Sequence, residues 1–243
     1  IVSLPVTPKI EVAATALLAP GEVIYASPTN VYITSQAWVD PTLTEEPSKL
    51  PKKIDWKTAV HRFTFDQTGP ARYVASGTVP GTVRNSFSMG EMGSGGERLG
   101  IATTSGTPWS ATDKSTSQLV VLKTEGTDLV RTGSVDRMGD GESIQSVRFA
   151  GNRAYVVTFR QTDPFFVIDL SDPDRPRLAG ELKLLGYSGY LHPISETRIL
   201  GIGRDADAKG ADVGMKATLF DVSDAAAPKA IGSWTDPDGY SDV

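Results

Sequence analysis

Val167-Ile168-Asp169-Leu170-Ser171-Asp172-Pro173, with Pro176 and Gly180 beyond it, is the stretch that decides the architecture, because it comes back one unit later. Asp169-Leu170-Ser171-Asp172 returns as Asp221-Val222-Ser223-Asp224, and Pro176 and Gly180 return as Pro228 and Gly232, each shifted by 52 positions. Gly186-Tyr187-Ser188 returns as Gly239-Tyr240-Ser241, shifted by 53. Around the first copy, the pattern reads as strand (Arg153–Phe159), strand (Phe165–Leu170), tight turn (Ser171–Pro176), strand (Arg177–Leu182), then a glycine turn and a short strand (Gly186–Leu191).

A repeat of about fifty residues carrying four strands is the signature of a β-propeller blade. Along Arg153–Phe159, Ala154, Val156 and Thr158 point one way and Tyr155, Val157 and Phe159 the other, so both faces are apolar and both need cover. Blades stacked face to face supply that cover, whereas an ordinary sandwich would leave one face polar. Working outward, the same order of strands fits residues 30–92, 97–150, 152–191 and 196–243, with Val23–Ala26 ahead of the first unit and Tyr240–Val243 as a last inner strand. The fold class is therefore all-β: a propeller of about four four-stranded blades, part of a larger ring. Residues 1–21 form a lead-in, 22–243 the propeller, and the Pro-, Glu-, Lys- and Thr-rich residues 38–57 an insertion. Neither end completes a blade on this reading, so the chain is expected to self-associate or to leave an edge strand open.

Composition narrows the function classes. A net charge of -5 with a pI near 5.1 argues against a nucleic-acid partner, which needs concentrated Lys and Arg. No run of about 18 apolar residues is present to span a bilayer. Cysteine is absent, which removes disulfides, thiolate metal sites and cysteine nucleophiles. The chain opens on Ile1 without the layout of a signal peptide and reads as a piece of something longer.

The block Val167–Pro173 with Pro176 and Gly180 resembles the LVIVD type of propeller repeat. The runs Ser143–Phe149, Arg153–Phe159 and Asp163–Leu170 are similar to the bacterial and archaeal secreted proteins with a C-terminal β-propeller domain. The resemblance implies secretion or attachment to the cell envelope and assigns no function.

Two constellations are candidates for binding. Ser86, Ser146, Ser188 and Ser241 fall at matching places in the inner strands, preceded by Asn85, Gln145, Tyr187 and Tyr240. Small residues are needed there for steric reasons, and the same hydroxyls can line a channel holding water or an ion. His192, closing an inner strand ahead of Pro193, is a candidate at its edge. Asp205, Asp207 and Asp212 alternate in the loop 204–214 and can offer oxygen to Ca²⁺, although an EF-hand's closing Glu is missing. Asp136, Asp140 and Glu142 make a sparser version.

The recurring Asp-x-Ser-Asp reads as turn chemistry, since a catalytic group is needed once and a turn in every blade. Gly90–Gly96 reads as a flexible turn between an inner strand and the next, and Trp234, matching Leu182, as a packing residue. The expected function is an extracellular or envelope binding scaffold for a protein or small ligand. Its rim loops would be 139–143, 161–164, 185–188 and 204–214. A hydrolase or lyase using rim carboxylates is the alternative, and a structural ring with a Ca²⁺ clip the third.

Overall fold

The computed structural model describes residues 2–3, 13–16, 21–37, 56–65, 70–93, 95–106, 114–159, 163–207 and 211–239. Ahead of the blades, β1 (Val2–Ser3) pairs antiparallel with β2 (Ala13–Ala14), and the Thr15 hydroxyl donates to the Ala71 carbonyl. The insertion at residues 38–57 lies outside the described residues up to 55, as do Trp38, Trp109, Tyr240 and Ser241.

Four antiparallel four-stranded blades follow. Blade 1 is β3 (Val23–Ala26), β4 (Asn30–Ala37), β5 (Lys57–Thr64) and β6 (Arg72–Pro80), and blade 2 is β7 (Met89–Met92), β8 (Arg98–Ser105), β9 (Thr116–Glu125) and β10 (Asp128–Met138). Blade 3 is β11 (Ser143–Ala150), β12 (Arg153–Phe159), β13 (Asp163–Asp169) and β14 (Arg177–Leu184). Blade 4 is β15 (Tyr187–Ser195), β16 (Arg198–Ala206), β17 (Asp212–Asp221) and β18 (Lys229–Asp236). Blades 1 and 2 also touch edge to edge through one parallel bridge, Asp128 to Ser76. Among the described residues Val23–Ala26 completes the first blade and Lys229–Asp236 the fourth, while the last inner strand expected at Tyr240–Val243 lies outside them.

Each pair of neighbouring blades encloses its own core, and the central strands feed two cores at once. Ala154 and Val156 of β12 join Leu119 and Val121 between blades 2 and 3, while Tyr155 and Val157 join Ile199 and Phe220 between blades 3 and 4. Strand β9 does the same one blade earlier, with Val120 and Leu122 turned toward Tyr32 and Val60 of blade 1. This is why β12 is apolar on both faces: Tyr155 is 2% and Val156 0% exposed. Between blades 3 and 4, the rings of Phe165 and Phe220 stack at 4.3 Å and 5°.

The turns between third and fourth strands behave as the repeat implies. Asp169 and Asp221 each accept the backbone N–H two residues on, at 2.9 Å from Ser171 and Ser223, and Asp172 and Asp224 do the same for Asp174 and Ala226. These turns lean across to the preceding blade. At Gly133, just after the bulge in β10, a Cβ would stand 2.8 Å from the Asp174 carbonyl of blade 3. At Gly180, just after the bulge in β14, it would stand 2.5 Å from the Ala225 carbonyl of blade 4. Only glycine allows so close an approach.

Two local readings are corrected. The inner strand of blade 2 is Met89–Met92, so Ser86 lies ahead of it: residues 86–88 form a 3-10 turn because Asn85 caps it, its Oδ1 accepting from Phe87 N at 3.1 Å. Gly90 accordingly belongs to a strand, where a Cβ would overlap the Phe149 ring of blade 3. Trp234, expected to pack, is 57% exposed, because the face of blade 4 that carries it is turned away from blade 3.

Candidate functional site

The inner strands of blades 1 to 3 border a cavity of about 430 Å³, lined among others by Tyr25, Ser86, Phe87, Glu91, Arg148 and Phe149. The 3-10 turn presents the Phe87 ring, 41% exposed, toward the middle of the arc. Arg148 projects from β11, and its Nε donates to the Leu191 carbonyl of blade 4 at 2.8 Å. Its guanidinium carbon stands 4.0 Å from the Phe87 ring centre and 5.1 Å from that of Tyr190, and the two rings meet edge to face at 5.7 Å. One cation thus joins blades 2, 3 and 4 at the middle.

The two rings lie on one side of this guanidinium, their centres only 5.7 Å apart, and Leu191 takes its Nε. Neither terminal nitrogen has a hydrogen-bond partner among the described residues. The edge they form, with two parallel N–H groups, matches a carboxylate. On the blade 1 side, Glu91 N donates to the Tyr25 hydroxyl at 3.1 Å, and the buried Glu91 Oε1 has no hydrogen-bond partner among the described residues. Burial, with the Glu91 carboxylate beside it, pushes the Tyr32 phenol well above the usual range.

Of the four serines, two meet: the Ser146 hydroxyl donates to the Ser188 carbonyl at 2.6 Å, and both residues are buried. That bond ties blade 3 to blade 4. Ser86 lines the cavity instead, and Ser241 and Tyr240 lie outside the described residues. Asn85 serves as the cap, Gln145 is half-buried beside the Ser143 carbonyl, and Tyr187 packs on Phe159 with ring centres 4.7 Å apart. His192 is exposed, its Nδ1 3.3 Å from the Tyr190 hydroxyl, and so borders the aromatic cluster around Arg148.

The loop aspartates are not gathered. Lys216 Nζ is 2.9 Å from Asp205, Arg204 Nε is 3.4 Å from Asp212, and Asp207 accepts from Ala211 N at 2.9 Å. In the other group, Asp136 pairs with Arg131, Asp140 with Arg137, and Glu142 accepts from the Thr158 hydroxyl. Among the described residues no three His, Cys, Asp or Glu side chains stand close enough to hold a metal ion. A second cavity of about 660 Å³ lies between the hairpins 150–153 and 193–197 of blades 3 and 4. It opens on the rim opposite the loops that the sequence pointed to.

Arg148, Phe87 and Tyr190 were not singled out by the sequence reading. The signal was there in part: Arg148 lies two residues after Ser146 in an inner strand, where a long cation is out of place unless it reaches something. Phe87 and Tyr190 likewise follow Ser86 and Ser188 by one and two positions.

Stacked four-stranded meanders, inner strands gathered on a common cavity and a core between each neighbouring pair define a β-propeller arc. The chain belongs to the family described as Beta propeller domain, whose profile matches residues 1–243. It is similar to the uncharacterized protein MJ1554 of Methanocaldococcus jannaschii, 40% identical over 180 residues, which cover 72% of this chain and 27% of that protein. It is also similar to an uncharacterized protein of Archaeoglobus fulgidus, 40% identical over 166 residues, covering 68% of this chain and 24% of the relative. The chain thus spans only a minor part of these curated relatives. No helix among the described residues is long and apolar enough to cross a membrane.

Proposed function

We propose that this propeller arc is a binding scaffold of the cell exterior or envelope, and that it holds a small ligand with an apolar body and a carboxylate in its central cavity. The single observation behind this reading is Arg148 at the wall of that cavity, its guanidinium against Phe87 and Tyr190 and its terminal nitrogens without a hydrogen-bond partner among the described residues. Phe87, Tyr25 and Ile24 supply the apolar contact, and Ser86 a hydroxyl. Glu91, the other charge lining the cavity, disfavours a dianion such as phosphate over a single carboxylate. The resemblance to secreted propeller proteins supports the location. Carboxylates that are separated and individually paired favour binding over hydrolysis or lyase chemistry.

Calorimetric titration with benzoate, and with benzamide as its neutral counterpart, tests the reading. Benzoate binds and benzamide binds at least tenfold more weakly; Arg148→Lys, which keeps the charge and loses the fork, weakens benzoate about tenfold. Equal binding of the two compounds, or benzoate affinity unmoved in Arg148→Lys, would overturn the assignment to Arg148.

A further inference from the structure

Arg98 and Arg153 hold the same place in successive blades, each as the first residue of a second strand. At the junction of blades 2 and 3, Arg98 reaches the carboxylate of Asp174 in the turn of blade 3, at 2.8 Å through Nε and 2.5 Å through Nη2. The repeat of 52 positions puts Ala226 where Asp174 stands, so the turn of blade 4 brings no carboxylate to the next junction. Arg153 reaches the Val222 carbonyl instead and pairs with no carboxylate among the described residues. The cavity of about 660 Å³ lies at this junction, and Arg153 lines it.

The two walls are tied together. Val222, 0% exposed, accepts from Arg153 on one hairpin and donates its N–H to the Thr197 carbonyl on the other at 3.0 Å. Tyr155 also borders the cavity while only 2% exposed, its ring stacked on Phe165 at 5.8 Å. The Arg153 guanidinium, which can only donate, hydrogen-bonds the Tyr155 phenol oxygen. The phenol's own O–H is left to donate, and no acceptor takes it among the described residues. On the other hairpin Glu196 has no basic partner among the described residues, and its chain neighbours Ser195 and Thr197 hold their hydroxyls 3.5 Å apart.

From this we infer that the cavity is a second binding site, separate from the central one, and that it takes a free α-amino acid with an apolar side chain. The ligand carboxylate would fill the role that Asp174 has at the neighbouring junction, accepting from Arg153 and from the Tyr155 hydroxyl. Its ammonium would go to Glu196 and the Ser195 and Thr197 hydroxyls, and its side chain to Pro193 and Ala150. Opposite charges on the two walls fit a zwitterion, whereas a simple anion or cation would meet one like charge. A neutral sugar is the poorer fit, because Tyr155 is buried against Phe165 and presents no open ring face to stack on.

Calorimetric titration with L-alanine, L-proline and L-leucine, and with the N-acetyl and amide derivatives of each, tests the inference. At least one amino acid is expected to bind with a dissociation constant of about 1 mM or below. Its N-acetyl derivative, which lacks the ammonium, and its amide, which lacks the carboxylate, should bind about tenfold more weakly, as should the parent ligand in Glu196→Gln or Tyr155→Phe. Ala226→Asp, which restores to this junction the carboxylate of the neighbouring one, should abolish binding without lowering the melting temperature. Glu196 and Ala226 are exposed turn residues, so those two variants fold whatever Tyr155→Phe does. Absence of binding by all three amino acids, a derivative that binds as tightly as its parent, or affinity unmoved in Ala226→Asp would overturn the inference. Saturable binding of methyl glucoside where the amino acids fail would do so too, and would give the cavity to a neutral sugar.

Discussion

Arg98 and Asp174, 76 residues apart, form a two-pronged ion pair across the junction of blades 2 and 3. The guanidinium hydrogen bonds hold the Asp174 carboxyl well below the usual carboxylate range.

The pH consequence follows from the sign of that shift. A folded-state pKa below the unfolded value of about 3.9 means that the stabilisation is complete above the unfolded pKa and is lost as pH falls toward the folded one. Asp169, held down to about 2 chiefly by its hydrogen bonds from Ser171 and then by Arg177, acts in the same direction. We expect the melting temperature to fall between about pH 5 and pH 2. Asp174→Asn should flatten that fall and cost about 1 kcal/mol at neutral pH, a modest figure because the pair is partly exposed. A wild-type profile flat down to pH 2 would contradict this.

Phe165 and Phe220 stack across the junction of blades 3 and 4, both fully buried. Phe220→Ala is expected to cost about 3–5 kcal/mol, measured by urea unfolding. A double-mutant cycle with Phe165→Ala should return a coupling of about 1 kcal/mol, and additive losses would show that the stack is incidental.

Phe149 lies where Cβ atoms at Gly90 and Gly100 would be. Gly90→Ala should therefore destabilise by about 1–3 kcal/mol through overpacking. Combining it with Phe149→Ala should recover part of that cost, and no recovery would place the strain elsewhere.

Tyr32 is 1% exposed, and its phenol is raised first by burial and then by Glu91. A group whose folded pKa is raised stabilises the fold below its unfolded value, about 10 for tyrosine, and ceases to do so as pH climbs above it. Ultraviolet titration should show Tyr32 ionising only with alkaline unfolding, and Tyr32→Phe should remove one chromophore from that final step alone. Reversible ionisation near pH 10 in the folded protein would refute it.

Asp205, Asp207 and Asp212 each have a partner of their own, so Ca²⁺ would have to displace Lys216 and Arg204 to bind. Millimolar Ca²⁺ should leave the melting temperature within about 1 °C, and a chelator-reversible rise would restore the clip reading.

The architecture was legible because it is written in short-range chemistry. Asp169 and Asp221 bond N–H groups two residues away, and the alternation of Ala154 and Val156 with Tyr155 and Val157 needs only two covered faces. What was not legible depends on the neighbouring blade. Nothing local to Arg148 announces Phe87, 61 positions earlier, and nothing local to Gly90 announces Phe149. Trp234 aligns with Leu182, but Leu182 packs into the core shared with blade 4, while Trp234 has an open face. The loop aspartates were misleading for the opposite reason: their spacing is suggestive, but Lys216 takes up Asp205, Arg204 takes up Asp212 and the Ala211 N–H bonds Asp207.

Private cores between successive sheets make this molecule behave as a row of coupled units, in which each feels only those beside it. Blades 2 and 3 are held from both sides, and blade 4 from one. Amide exchange should accordingly be slowest in β9 and β12 and quicken toward β18, with melting that starts at the far end and travels inward strand by strand.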